Sequence, residues 1–88
     1  MNYTKPLEKI EGIVPHGIGL EKNIVAISVN GTPNYVMLID ISDPTSPQKG
    51  VRSIVPSELN GVQGSVVVQN GVVYVSCVSG LAVYRIVD

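Results

Sequence analysis

The chain has no Trp, no Phe, one Cys, one His and only 15% charged residues in 88. Each shortage excludes something. Cys77 alone cannot close an internal disulfide, so no stapled secreted mini-domain is encoded. His16 alone rules out a metal site built from several His of one chain. Sparse, mixed charges summing to −1 leave no basic footprint for a nucleic-acid backbone. No apolar run approaches the ~20 residues that span a bilayer as a helix. The opening MNYTKPLEKIEG lacks an apolar h-region and does not read as a signal peptide, so the chain as written is expected to be soluble and cytoplasmic. Ala occurs only at positions 26 and 82, which disfavours helices of ordinary length.

What is present points to β structure. Val and Ile dominate the apolar residues, and nine Gly and six Pro punctuate them. Branched side chains lose little extra freedom on a pleated surface and pack well there. A chain of this length makes one small domain and buries only ~60–65% of its unfolded surface, a thin margin for a core.

The sequence also repeats itself. Residues 24–40, IVAISVNGTPNYVMLID, align without a gap on residues 72–88, VVYVSCVSGLAVYRIVD, at an offset of 48. Ile24 then falls on Val72, Ser28 on Ser76, Leu38 on Ile86 and Asp40 on Asp88. Upstream, Gly17 and Asn23 match Gly64 and Asn70 at an offset of 47. Residues 6–15, PLEKIEGIVP, match residues 47–56, PQKGVRSIVP, at an offset of 41.

Four strands per unit follow from this pattern. Strand a is expected at 17–21 and 64–69, strand b at 24–29 and 72–78, strand c at 35–41 and 81–87. Strand d is expected at 49–55, with an earlier copy at 8–14. Asn30-Gly31 and Asn70-Gly71 carry the dipeptide signal of tight hairpins. Asp43-Pro44 starts a turn with an Asx acceptor and a pre-set φ. Strand b is apolar almost throughout, as for a strand covered on both faces. The d copies carry Glu8, Lys9 and Glu11, or Lys49 and Arg52, which suits a solvated edge.

Short antiparallel strands in fours at a period of 40–48 residues are the signature of β-propeller blades. A β-sandwich needs no such echo, and a β-solenoid would need shorter coils. The phrases LIDISDPTSP and YRIVD resemble the LVIVD-type repeat of propeller-like surface proteins of bacteria and archaea. VPHGIGL with the strand after it is similar to the opening of the related YVTN-type blade. The resemblance spans residues 14–56 well and 62–88 less fully, and the second copy lacks the SDP turn. It implies a fold and brings no catalytic residues. If the chain is cut from a longer parent of the LVIVD type, the cell surface or the extracellular space is the implied location.

The expected fold is therefore all-β: two four-stranded antiparallel propeller blades in permuted order, d–a–b–c–d–a–b–c. Residues 1–15 hold the outer strand of a shared blade, 16–56 the first blade, and 57–88 a second blade lacking its outer strand. Two blades leave two apolar faces open, so partners are implied. These are either copies joined head to tail, three making six blades or four making eight, or the remaining blades of a longer parent.

Catalytic constellations are thin, and no cofactor motif stands out. Gly17-Ile18-Gly19 begins a dinucleotide-like pattern, but position 22 is Lys and no helix follows; Gly in a crowded strand near a propeller axis is the better account. His16 is a turn residue, or one of a set converging on a central channel in a ring. Cys77 is a small core hydrophobe with no partner base. Asp40 and Asp88 recur as turn acceptors, and with Ser42 and Asp43 they lack the spacing of a calcium loop. Tyr35, Tyr74 and Tyr84 read as packing residues with a polar handle. The d–a and b–c loops of a blade share one end, and the extra SELNGV at 57–62 lies there. His16, Asn30, Asn34, Glu58, Asn60 and Gln63 are thus the expected contacts for a protein, glycan or small molecule. A non-catalytic binding or scaffolding module is the favoured function. The alternative is a subunit or fragment of a lactonase-like propeller hydrolase, its site at the central channel.

Overall fold

A computed structural model describes residues 6–87. It contains two antiparallel sheets. Sheet A orders β1 (Pro15–Glu21), β2 (Ile24–Val29), β3 (Tyr35–Asp40) and β4 (Gln48–Ile54) side by side. Sheet B orders β5 (Val62–Gln69), β6 (Val72–Cys77) and β7 (Gly80–Arg85). The only helix among the described residues is one 3₁₀ turn, Ser57–Leu59, so none is long and apolar enough to cross a membrane.

These strands lie within two residues of their expected bounds. The eighth, at 8–14, differs: residues 6–14 form no strand in the single chain. Of the expected outer-strand segment, residues 1–5 lie outside the described residues, as does Asp88. The Asn70-Gly71 turn behaves as expected, with φ of 52° and 75° joining Gln69 to its partner Val72. Asn30-Gly31 does not. It opens a five-residue loop, because β2 and β3 pair Val29 with Tyr35. The β6–β7 connection has only two residues, since Cys77 pairs with Gly80. Tyr35 and Gly80 are therefore structural equivalents at an offset of 45. The gapless offset of 48 holds for strand b and slips by three in strand c, so Leu38 corresponds to Val83, not to Ile86.

Strand alternation sorts the core into two layers. Ala26, Ser28, Val36 and Leu38 point from sheet A toward sheet B, where Val66, Val68, Val73, Val75, Cys77 and Ala82 meet them. Cys77 is thus a core residue, its thiol 3.6 Å from the Val75 carbonyl. On the other side of sheet A, Ile27, Val29, Tyr35, Met37 and Ile39 form a second layer, and Ile10 and Ile13 of the N-terminal segment lie on it. Both faces of β2 are covered, which explains why it is apolar at every position but Ser28.

The sheets approach most closely at their innermost strands. A Cβ on Gly19 would stand 2.6 Å from the Val66 carbonyl oxygen, and one on Gly17 would stand 2.9 Å from that of Gly64. The Gly-Ile-Gly of β1 is a backbone-to-backbone contact. At the far end Glu21 reaches across the same junction and accepts N–H bonds from Asn70 (2.8 Å) and Gly71 (3.2 Å). At the outer rim the Tyr84 hydroxyl donates to the Ile54 carbonyl at 3.0 Å. Burial pushes that phenol above its ordinary pKa, and Cys77 nearby adds to the effect.

Candidate functional site

The hairpin connections alternate between two ends of the sheets. One end gathers the start of β1, the 30–34 loop, the 55–61 connector and the 78–79 turn. The other gathers Lys22, the 41–47 turn and Asn70-Gly71. All six sequence-predicted contacts fall at the first end.

Backbone bonds make this end one platform. Val55 N–H donates to the Asn34 carbonyl, tying the β2–β3 loop to the connector. Val78 N–H and Ser79 N–H donate to the carbonyls of Gly61 and Leu59, each at 2.9 Å. Leu59 fastens the connector from beneath by packing on the inter-sheet core. Asn60 sits at φ 61°, a conformation Asn tolerates better than most residues, and closes the 3₁₀ turn onto Ser57.

The side chains fall into three groups. The Asn30 amide nitrogen and His16 Nδ1 lie within hydrogen-bond distance, 3.1 Å apart. Asn34 is half-buried and accepts the Gly31 N–H at 2.9 Å, so it shapes its own loop. Asn60 donates to the Ser79 hydroxyl at 2.7 Å. Glu58 and Gln63 are exposed at the same end; among the described residues no hydrogen bond joins either to the other four. Ser79 was not legible as a participant, because only the two-residue turn brings it back to the connector.

Such a surface offers amide, hydroxyl and imidazole groups on fixed loops. It can exchange hydrogen bonds with a neutral polar ligand. Among the described residues no three His, Cys, Asp or Glu gather as a metal site. Elsewhere the acids serve structure. Asp40 accepts from the Ser42 hydroxyl (2.6 Å) and N–H (2.8 Å), and Asp43 accepts from those of Thr45 (2.6 and 3.0 Å). Tyr35 is buried under the Arg52 guanidinium, 4.4 Å from ring centre, whereas Tyr74 stands exposed on the outer face of sheet B. One polar group is left over: Ser28 Oγ is fully buried against Gly17 and has no hydrogen-bond partner.

No family model, no curated protein and no solved structure matches this chain.

Proposed function

We propose that the chain is a non-catalytic binding or scaffolding module built from two β-propeller-type blades, resembling the LVIVD and YVTN repeats, and that its loop end presents the ligand surface. The observation that carries this reading is the stacking of the two sheets. Their innermost strands touch backbone to backbone at Gly17 and Gly19, while sheet B keeps an exposed apolar face and sheet A a second apolar face that Ile10 and Ile13 cover in part. A closed sandwich hides its apolar faces; a radial array of blades repeats them. At the loop end, His16 with Asn30, and Asn60 with Ser79, supply fixed polar groups in the arrangement a neutral glycan or peptide amide recognises.

The test is a screen of glycan, peptide and small-molecule arrays with labelled protein, followed by backbone amide shift mapping of each hit. Shifts are expected at positions 16, 30–34, 57–63 and 78–79, with binding lost in Asn60→Ala and His16→Ala. Shifts centred on Lys22, Asp43 and Asn70 would overturn the assignment of the face. Turnover of a lactone or ester probe that disappears in His16→Ala would establish the hydrolase alternative instead.

A further inference from the structure

We infer that copies of this chain dock head to tail: the outer face of sheet B of one copy seats on the outer face of sheet A of the next. Residues 8–14 of that next copy lift off the face and pair as a fourth strand on β7 of the first. This rests on the blade reading above and specifies its partner, surfaces and register.

Ladder equivalence carries the first step. Gly19, Ala26, Leu38 and Val36, the side of sheet A that meets sheet B, correspond to Val67, Tyr74, Val83 and Leu81. Those four form the open face of sheet B, with Val67 53%, Leu81 56% and Val83 54% exposed. Conversely, Val66, Val68, Val73 and Val75, the side of sheet B that meets sheet A, correspond to Ile18, Leu20, Val25 and Ile27. These lie on the outer face of sheet A, where Ile18 is 67% and Leu20 61% exposed, while Val25 is half-buried and Ile27 is buried in the cluster that Ile10 and Ile13 cover. The open face of sheet B and the outer face of sheet A, once residues 8–14 leave it, are thus the two halves of the interface already formed inside the chain. A second copy continues that interface, and no unrelated partner is needed to complete it. Val67 and Tyr74 replace Gly19 and Ala26, so the junction between copies is wider at its innermost strands than the junction within one.

Sheet B ends at β7, whose outer edge borders an apolar cleft of about 420 Å³ lined by Val36, Leu38, Val51, Val73, Tyr84 and Ile86. Beside β3 the equivalent edge is filled by β4, and β4 belongs to the segment that residues 6–15 repeat. In its own chain that segment lies on the face of sheet A turned away from sheet B, with Ile10 and Ile13 packed on the cluster of Ile27, Val29, Tyr35, Met37 and Ile39. Its own β7 is on the far side of sheet A. A neighbour docked on the outer face of sheet A brings a free β7 edge to the side where residues 8–14 already lie. Transferring the pairs Met37↔Arg52 and Val36↔Ser53 sets the register, with Ala82 opposite Glu11 and Leu81 opposite Gly12.

Light scattering coupled to size-exclusion chromatography tests the assembly over a range of concentrations. The expected mass is three or four times the 9.3 kDa chain. Val83→Glu and Leu81→Glu change exposed side chains and should return the particle to the chain mass with an unaltered far-ultraviolet circular dichroism spectrum. Mild oxidation of a Gly12→Cys, Leu81→Cys double variant should give covalent multimers, and neither single variant should. A folded particle of chain mass at every concentration overturns the inference, as does a cross-link that closes within one chain. Because mass and cross-link are read without ligand, a monomer that still binds at its loop end would refute the docking and leave the module reading intact.

Discussion

Gly19→Ala is the sharpest probe of the inter-sheet junction. The added Cβ would stand 2.6 Å from the Val66 carbonyl oxygen, 3.0 Å from its carbon and 3.2 Å from Val66 Cγ1. An ordinary carbon–oxygen contact needs roughly 3.3–3.6 Å, so the strands must part by about 0.7–1 Å. Neither backbone yields freely: Gly19 is laddered to Ala26, and Val66 to Val75. A gap of that size forfeits about a quarter to a half of each affected dispersion contact, and overpacked cores typically lose about 1–3 kcal/mol. Restricting the unfolded chain offsets about 0.4–1 kcal/mol of this. The net loss is about 1–2 kcal/mol, a sizeable share of the ~4–13 kcal/mol expected for a domain of this length. Urea unfolding at fixed protein concentration, followed by circular dichroism, should show a lower midpoint with an unchanged slope. The melting temperature should fall by roughly 4–8 °C per kcal/mol lost. Gly64→Ala is the control, since its Cβ would meet nothing closer than the His16 carbonyl at 3.9 Å. The reasoning fails if Gly19→Ala is as stable as the parent, or if Gly64→Ala loses as much.

Further outcomes follow from the hydrogen bonds. Ser28→Ala removes a buried hydroxyl with no partner and should raise stability by about 1 kcal/mol, read from the urea midpoint. Ser76→Ala, whose hydroxyl accepts from Ser65 N–H and donates to Ser65 O, should instead lower it by about 0.5–1 kcal/mol. Tyr84→Phe should lose about 0.5–1.5 kcal/mol with the bond to Ile54, unless the outer rim is held by apolar contact alone. Acid should destabilise the fold through three carboxylates. Glu21 is held below its ordinary pKa by the Asn70 and then the Gly71 N–H, Asp40 by the Ser42 hydroxyl and N–H, and Asp43 by those of Thr45. Folded, each binds fewer protons than unfolded, so their contribution is complete above the unfolded values near ~4 and disappears as pH falls through the lowered ones. Glu21→Gln should flatten that acid limb in a pH series of melting temperatures; an unchanged limb would show that the inter-sheet clamp contributes nothing.

How much of this was legible depended on which physical constraint wrote the residue. Strand positions were readable because Val and Ile alternate with turn chemistry that backbone sterics enforce, as at Asn70-Gly71. The crowding at Gly17 and Gly19 was readable for the same reason. The slip in strand c was not. Both third strands lie in short, mostly apolar runs, Tyr35–Asp40 and Gly80–Arg85, and only hydrogen-bond pairing shows that the two-residue turn after Cys77 moves one by three residues. Similar residues can be aligned in more than one register when each position asks only to be apolar. At the loop end the sequence located His16, Asn30, Asn34, Glu58, Asn60 and Gln63 on one side because strand direction alternates. It did not reveal the His16–Asn30 bond or the part of Ser79, since loop conformation decides which side chains meet. The place of residues 8–14 was also hidden: their pattern suits a strand edge and an apolar sheet face alike.

The sidedness of the two outer faces limits how such a chain can assemble. A symmetric pair joined through a two-fold axis would set like against like, with Tyr74 and Val67 meeting their own copies. That contact has no counterpart inside the chain. Head-to-tail docking reuses an interface the sequence already encodes, but each added copy covers one sheet B face and one sheet A face and presents another of each. A pair therefore leaves as many apolar faces open as a single chain does. Growth lowers the open fraction only gradually, and closure removes the last two faces in one step. If copies dock head to tail as proposed, closed rings should dominate over short open oligomers, and an open series that lengthens with concentration would mean that the angle between successive sheets does not permit closure.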